Sequence, residues 1–193
     1  MDAQGWDERY GDAELVWSGE PNRFVAQHLA GLTPGDAVDL GAGEGRNAVW
    51  LAGRGWRVTA VDFSAVGLEK ARRMAFEADV ELATVVGDVE TYEPPFPVDL
   101  VLISYLQIPD VHQMSLLRRV KGWLNPAGVV FVVAHDKANV ERGHGGPQDV
   151  GVCYEVEQTV TALDGLRIEV AEVAARPVDD AVALDTVVLA RRA

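Results

Sequence analysis

A short apolar strand followed at once by closely spaced glycines constrains this chain more than any other feature. Residues 37–47 read AVDLGAGEGRN, with Gly41, Gly43 and Gly45 directly after the apolar run. A chain that leaves a buried strand through such glycines can turn sharply and let a ligand approach bare backbone. The next segment, 47–55, has apolar residues at helical spacing, so free N–H groups of the loop would face a polar or anionic ligand.

The glycine spacing departs from the dinucleotide-binding fingerprint. Arg46 stands where G-x-G-x-x-G has its last glycine, so the strict rule is not met. The glycines alone also fit an ordinary tight turn between a strand and a helix. Further signals are therefore needed before the loop is interpreted as a ligand site.

Two acidic residues at the ends of later strands supply those signals. Residues 57–62 read RVTAVD, a second buried strand that ends in Asp62, where a carboxylate can accept hydrogen bonds from both ribose hydroxyls. Residues 82–88 form a third apolar run that ends in Gly87 and Asp88. A carboxylate there can accept a hydrogen bond from an adenine amino group, so the three strands together predict a nucleoside-binding edge.

With these motifs, the sequence resembles the class I S-adenosylmethionine-dependent methyltransferases. The resemblance rests on VDLGAGEG at 38–45, then Asp62, then Gly87 and Asp88, in matching order and spacing. The segments WDERY and WSGEPN, which begin at Trp6 and Trp17, are similar to the N-terminal segment of a small bacterial branch with tellurite-resistance and thiopurine S-methyltransferase-like enzymes. The resemblance covers nearly the whole chain.

The resemblance implies S-adenosyl-L-methionine as the cofactor and S-adenosyl-L-homocysteine as its product. Trp17 is predicted to close over the cofactor. The guanidinium groups of Arg46 and Arg23 could each pair with a carboxylate, either that of the cofactor's methionine or that of an acidic substrate, and Arg46 beside the glycine loop is the stronger candidate. The predicted cofactor-binding residues are Trp17, Gly41, Ala42, Gly43, Gly45, Arg46, Asp62, Phe63, Ser64, Asp88, Val89 and Ser104.

Alternating strand-like and helical segments predict a parallel α/β sheet. The strand-like runs lie near 37–40, 57–62, 82–87, 98–104 and 128–134. Two further runs, 166–175 and 183–190, with only residues 177–182 between them, predict an antiparallel hairpin. The resemblance implies the same hairpin, with a seventh strand antiparallel beside the fifth. We therefore expect a Rossmann-like, doubly wound, seven-stranded, mostly parallel sheet with helices on both faces.

Length and charge limit the domain organisation and the partners. We expect a single domain over 1–193, with an N-terminal helical cap over 1–35 and the core over 36–193. Seventeen basic and 30 acidic residues give a net charge of −13, which disfavours nucleic acid and anionic membranes as partners.

The remaining composition leads to expectations about compartment and metals. No leader and no apolar run of about 20 residues is visible, and Cys153 is the single cysteine, so we expect a soluble, cytoplasmic monomer or homodimer. The four histidines and the cysteine lack metal-ligand spacing, so no metal site is predicted.

The candidate catalytic residues follow the fourth and fifth predicted strands. Ser104 and Tyr105 end the fourth strand, at the carboxyl edge where open α/β sheets bind ligands. The sequence there lacks the Asp/Asn-Pro-Pro-aromatic motif of enzymes that methylate exocyclic amines and glutamine. His135 follows the fifth strand and is either a proton acceptor or a hydrogen-bonded strand-end histidine. Arg23 and His144 are predicted to bind substrate.

The most specific interpretation is methyl transfer to a sulfur, oxygen, nitrogen or chalcogen nucleophile of a small molecule. A nicotinamide-dependent oxidoreductase shares the glycine loop and the ribose carboxylate, but Arg46 and the Gly87-Asp88 pair argue against it. A protein that binds the cofactor without catalysis is the third alternative, because a fold can outlast its chemistry.

Overall fold

A computed structural model describes residues 3–11, 15 and 19–193 of the chain. The chain divides into two compact units, Met1–Leu102 and Ile103–Ala193. The first unit contains α1 (Ala3–Gly11), α2 (Arg23–Leu29), β1 (Asp36–Leu40), α3 (Arg46–Ala52), β2 (Arg57–Asp62), α4 (Ala65–Glu77), β3 (Ala83–Val86) and most of β4 (Val98–Ser104). The second contains α5 (Asp110–Val120), β5 (Leu124–His135), α6 (Asn139–Arg142), α7 (Val156–Ala162), β6 (Arg167–Val178), β7 (Ala181–Arg191) and short 3-10 turns at Lys121–Trp123 and Val150–Val152. The prediction of one domain with a separate N-terminal cap stays a prediction.

Strand pairing gives the sheet its order. Within the described residues, seven strands follow the order β3-β2-β1-β4-β5-β7-β6. β2 runs parallel to both β1 and β3, whereas β7 runs antiparallel to both β5 and β6. The predicted Rossmann-like fold class is confirmed, including the antiparallel strand beside the fifth.

Helix α4 of the first unit buries one apolar stripe. In α4, Leu68, Ala71 and Ala75 recur at helical spacing and are buried. The Ser64 hydroxyl caps the N-terminus of this helix by accepting the Gly67 N–H at 3.0 Å. α3 begins at Arg46 and ends at Ala52, so it is shorter than the predicted 47–55 segment.

The hairpin of the second unit is longer than the sequence predicts. β6 and β7 continue through most of the predicted link and leave only Asp179 and Asp180 in the turn. Asp179 has a φ of 50°, a left-handed conformation that Asp tolerates and that two-residue hairpin turns require.

Strand β5 begins earlier in the chain than the sequence predicts. β5 begins at Leu124, four residues before the predicted run of 128–134. Hydrogen bonds from Ala127 N–H to Arg192 O and from Arg192 N–H to Gly128 O explain the extension.

None of the helices in the described residues is long and apolar enough to cross a membrane.

Candidate functional site

The glycines after β1 are required by the packing of neighbouring side chains. Gly43 has a φ of 53°, and a Cβ built there would lie 2.5 Å from the Tyr10 hydroxyl oxygen. Gly45 has a φ of 81°, and its Cβ would lie 2.5 Å from the Cβ of Ala71 in α4. The sequence attributes the bare backbone at Gly43 to ligand approach, but in this structure Tyr10 occupies that space.

Helix α1 is held against the glycine loop and the start of α4. The Tyr10 ring is buried and stacks on Trp6 with ring centroids 5.4 Å apart. The Asp7 carboxylate accepts hydrogen bonds from the Ser64 hydroxyl at 2.5 Å and from the Val66 N–H at 3.2 Å. The sequence analysis missed Asp7 and did not select Tyr10. Trp17, which it favoured, lies outside the described residues.

Asp62 connects the glycine loop to the loop after β2. Its Oδ2 accepts the Gly43 N–H and its Oδ1 accepts the Ser64 N–H, both at 2.8 Å. Burial raises the pKa of Asp62, and these two backbone donors partly offset the shift. The carboxylate thus fixes both loops and keeps lone pairs for further donors, as its predicted ribose-binding role requires.

Asp39 is a buried carboxyl group inside β1. Within the described residues, neither of its oxygens has a hydrogen-bond partner at ordinary geometry, and its side chain is almost completely inaccessible. Burial raises its pKa to about 7, and the charge of Asp62 adds to the shift. The charge of Arg46 and the Ala48 amide act in the opposite direction. The sequence analysis did not single out this residue.

The polar residues beside the glycine loop are also paired inside the first unit. Glu44 is buried and forms an ion pair with Lys70 at 3.0 Å. Ser64 is fully buried, and its hydroxyl contacts both Asp7 and Gly67. Its predicted contact with the cofactor stays a prediction.

Residues after β3 form the third predicted part of the nucleoside site. Asp88 is exposed, and its Oδ1 accepts the Glu90 N–H at 2.8 Å. This local bond fixes the turn and leaves the other carboxyl oxygen for a ligand. Val89 is buried beside it, whereas Ala42 and Phe63 are partly exposed in the loops that follow β1 and β2.

The chemistry of these groups fits the predicted cofactor. Asp39 lies in β1, Asp62 ends β2 and Asp88 follows β3 by two residues. Adenosyl and methionine groups present hydroxyl, amino and ammonium donors, for which carboxylate oxygens are the complementary acceptors. Among these acceptors, both Asp39 oxygens are buried and have no hydrogen-bond partner at ordinary geometry among the described residues.

In the second unit, Ser104 and Tyr105 lie where the fourth strand ends. The Ser104 hydroxyl oxygen is buried and has no hydrogen-bond partner among the described residues. Tyr105 has a φ of 55°, which is uncommon for an aromatic residue, and its N–H donates to Val133 O at 2.8 Å. Strained backbone of this kind is often found at functional sites.

A polar cluster surrounds the Tyr105 and His135 side chains. Asp185 in β7 is fully buried, and its Oδ2 accepts the Tyr105 hydroxyl at 2.8 Å and the Arg176 Nε at 2.6 Å. Asp185 Oδ1 lies 3.5 Å from His135 Nδ1. The rings of Tyr105 and His135 meet edge to face, with centroids 4.9 Å apart. The structure brings the two predicted catalytic residues together.

Asp185 and Arg176 are members of this cluster that the sequence analysis missed. Burial and the charge of Arg176 lower the pKa of His135, whereas Asp185 acts in the opposite direction. The sequence signal for Asp185 was that it is the single Asp in the apolar run of β7. In the structure, the residues from Ala183 to Ala190 around it are mostly buried.

The loop that carries His144 packs against His135. A Cβ built on Gly146, which has a φ of 77°, would lie 2.8 Å from atoms of the His135 ring. The buried Asn139 amide donates to Gly145 O at 2.9 Å and so holds this loop. His144 itself is exposed, as is Arg23 at the start of α2. The substrate-binding roles of both residues stay predictions.

Part of the sequence matches a known protein family. A family model described as a methyltransferase domain matches residues 37–128. The ubiquinone biosynthesis O-methyltransferase of Alkalilimnicola ehrlichii is 31% identical over 148 residues, which cover 68% of this chain and 60% of that protein. The chain therefore corresponds to well under two thirds of this relative's length.

Solved structures share the fold across nearly the whole chain. The N-methyltransferase NodS from Bradyrhizobium japonicum, solved with S-adenosyl-L-homocysteine, has a TM-score of 0.76 and 15% identity, with 98% of this chain and 97% of that chain covered. TehB from Haemophilus influenzae has a TM-score of 0.76 and 14% identity, with 99% and 67% covered. At these identities, the likeness concerns the fold.

Proposed function

This chain belongs to the class I S-adenosylmethionine-dependent methyltransferases, and on that premise we propose that it transfers a methyl group to a nucleophilic atom of a small molecule. The observation that carries the proposal is the Asp62 carboxylate, hydrogen-bonded to the Gly43 N–H inside the region that matches the methyltransferase domain. A carboxylate fixed in this way can accept ribose hydroxyls without reorganisation.

In this proposal, two carboxylates and one guanidinium hold the cofactor. Asp62 accepts the ribose hydroxyls, Asp88 accepts the adenine amino group, and Arg46 pairs with the methionine carboxylate. S-adenosylmethionine supplies a methyl group on a sulfonium, whose sulfur leaves as a neutral thioether and needs little assistance. The work that remains for the protein is to orient the acceptor, exclude water and, where necessary, remove a proton.

The acid-base groups of the proposal are an imidazole and a phenol. His135 and Tyr105 are the proposed catalytic residues, and Arg23 and His144 are proposed to bind the acceptor. Support comes from the edge-to-face contact of His135 with Tyr105 and from the partial burial of both rings. A neutral imidazole can accept a proton near neutral pH, and the direction of the His135 pKa shift favours the neutral form.

The acceptor is proposed to be a small cytoplasmic molecule. The relative from Alkalilimnicola ehrlichii is named as an O-methyltransferase of ubiquinone biosynthesis, which supports an oxygen acceptor. The net charge of −13 opposes attraction of nucleic acid. The single cysteine, Cys153, is free and buried, which is consistent with a reducing compartment.

Calorimetry tests the cofactor assignment. We expect the full chain to bind S-adenosyl-L-homocysteine, and not NAD, under the same conditions. Binding of NAD alone would contradict the proposal and favour an oxidoreductase. Incubation with labelled S-adenosylmethionine and a panel of thiols, chalcogen ions, phenols, carboxylic acids and amines then tests turnover. Cofactor binding without transfer to any member of the panel would favour a non-catalytic protein.

A further inference from the structure

The strongest unexplained feature outside the cofactor-binding residues is a pair of facing, unsatisfied polar atoms. His135 Nδ1 and Asp185 Oδ1 are both buried, and neither has a hydrogen-bond partner among the described residues. They lie 3.5 Å apart, and the other Asp185 oxygen already accepts two hydrogen bonds. Buried polar atoms in folded proteins are nearly always paired, so each of these atoms is the natural partner of the other.

The pairing determines which imidazole nitrogen carries the proton. A carboxylate oxygen only accepts hydrogen bonds, so His135 must donate from Nδ1 to satisfy it. In a neutral imidazole, Nε2 then keeps its lone pair and can accept a proton. We propose that Asp185 is a positioning residue that holds His135 as the Nδ1–H tautomer, with Nε2 as base for an acceptor that still carries a proton at neutral pH. This inference rests on the proposed function.

The surrounding charges are consistent with a neutral base. The charged or titratable described residues that contact the His135 ring or its partner are Asp185 on β7, Arg176 on β6 and Tyr105 after β4. Arg176 and Tyr105 both donate hydrogen bonds to Asp185 Oδ2, so Oδ1 is the oxygen that faces the His135 ring. Arg176 also disfavours a second positive charge on His135.

The proposed tautomer narrows the class of acceptor. A phenolic hydroxyl has an ordinary pKa near 10 and is protonated at neutral pH. As the acceptor oxygen forms its bond to the methyl carbon and the carbon–sulfur bond breaks, the hydroxyl proton passes to His135 Nε2 and later to water. A protonated amine loses its proton to the same nitrogen before it attacks. A thiolate or selenide anion needs no base, so hydroxyl or amine acceptors are the proposed class.

The tautomer is measurable without any acceptor. In the full chain with ¹⁵N-labelled histidine, the ring nitrogens of His135 are assigned by their loss in His135→Gln. We expect a protonated Nδ1 and an unprotonated Nε2 at neutral pH. Asp185→Asn should shift the tautomer ratio several-fold toward Nε2–H and lower the His135 pKa, because the carboxylate that favours the imidazolium is gone.

Asp180→Asn is the matched control, because it removes the same charge from an exposed position in the β6–β7 turn. It should leave both the tautomer and the titration unchanged. An Nε2–H tautomer in the wild-type chain, or an unchanged tautomer in folded Asp185→Asn, would overturn the proposal. If Asp185→Asn does not fold, the His135 tautomer of the wild-type chain alone tests the proposal.

Turnover separates this inference from the proposed function. With a hydroxyl or amine acceptor, Asp185→Asn should lower kcat about 100-fold, within the range of general-base contributions, and leave the KM for S-adenosylmethionine unchanged. Transfer only to thiols, at equal rates in both chains, would contradict the acceptor class but not methyl transfer. Absence of transfer to every acceptor, together with the expected tautomer, would contradict the proposed function but not the role of Asp185.

Discussion

At the scale of single residues, one carboxylate connects the glycine loop with the predicted ribose site. Asp62 accepts the Gly43 N–H and the Ser64 N–H, so its removal affects the loop as well as any ligand. Asp62→Ala should therefore weaken S-adenosyl-L-homocysteine binding by about 1–3 kcal/mol, because ribose hydroxyls lose a charged acceptor and two buried amides lose their partner. Titration calorimetry on the full chain measures the change.

Asp36→Ala serves as the control for that measurement. Asp36 begins β1, pairs with Arg57 at the surface and is partly exposed. Its removal should leave the affinity unchanged, since surface ion pairs contribute little. An affinity of Asp62→Ala equal to that of the wild-type chain would exclude Asp62 from the binding site.

The residues that the sequence predicted and those that it missed differ in how far their partners lie along the chain. The glycines and Asp62 belong to a local strand-loop-helix pattern, so their spacing is informative. Asp7 and Ser64 are separated by 57 positions, and Tyr105 and Asp185 by 80. No periodicity connects such pairs, because only the folded chain brings them together.

At the scale of elements, α1 depends on its docking contacts. It has nine residues, and helices of that length are marginal in water without tertiary contacts. Asp7→Ala removes the acceptor for the Ser64 hydroxyl and the Val66 N–H. The free energy required to open α1 locally should therefore fall by about 1–2 kcal/mol. Amide hydrogen exchange along α1 measures this change.

Glu8→Ala is the matched control for α1, since Glu8 is exposed and its Oε1 accepts a hydrogen bond from Gln4 Nε2 on the preceding turn of the same helix. Its α1 amides should exchange at close to the wild-type rates. Equal protection in Asp7→Ala and Glu8→Ala would show that the Asp7 contacts do not hold the helix.

The order of the strands was more predictable than their ends. Apolar runs and short links indicate alternating elements and a terminal hairpin, and the observed pairing of β7 with β5 and β6 agrees. The ends depend on backbone partners, as at Ala127, whose N–H donates to Arg192 O and extends β5 beyond the predicted run of 128–134. The sequence of that segment, with its Pro and Gly, favours a turn when taken alone.

At the scale of the whole molecule, charge and burial together determine how stability depends on pH. The net charge of −13 leads to self-repulsion that grows as carboxyl groups ionise. Most of these groups lie at the surface, but Asp39 is almost completely buried in β1 and has no hydrogen-bond partner at ordinary geometry among the described residues. A single buried carboxyl group of this kind affects stability more than an exposed one, because its charge is not solvated.

The sign of this effect follows from the pKa of Asp39, which is about 7 in the folded chain and roughly 4 when unfolded. The folded chain binds more protons between these values, so the contribution of Asp39 to stability is complete below about pH 4 and is lost as the pH rises to about 7. Each pKa unit corresponds to about 1.4 kcal/mol, so the loss is on the order of several kcal/mol.

Asp39→Asn does not titrate, and the wild-type Tm minus the Tm of Asp39→Asn should fall from pH 5 to pH 8. Asp36→Asn makes the same substitution at the partly exposed start of β1 and should give a constant difference. Parallel Tm curves for the wild-type chain and Asp39→Asn would contradict the elevated pKa of Asp39.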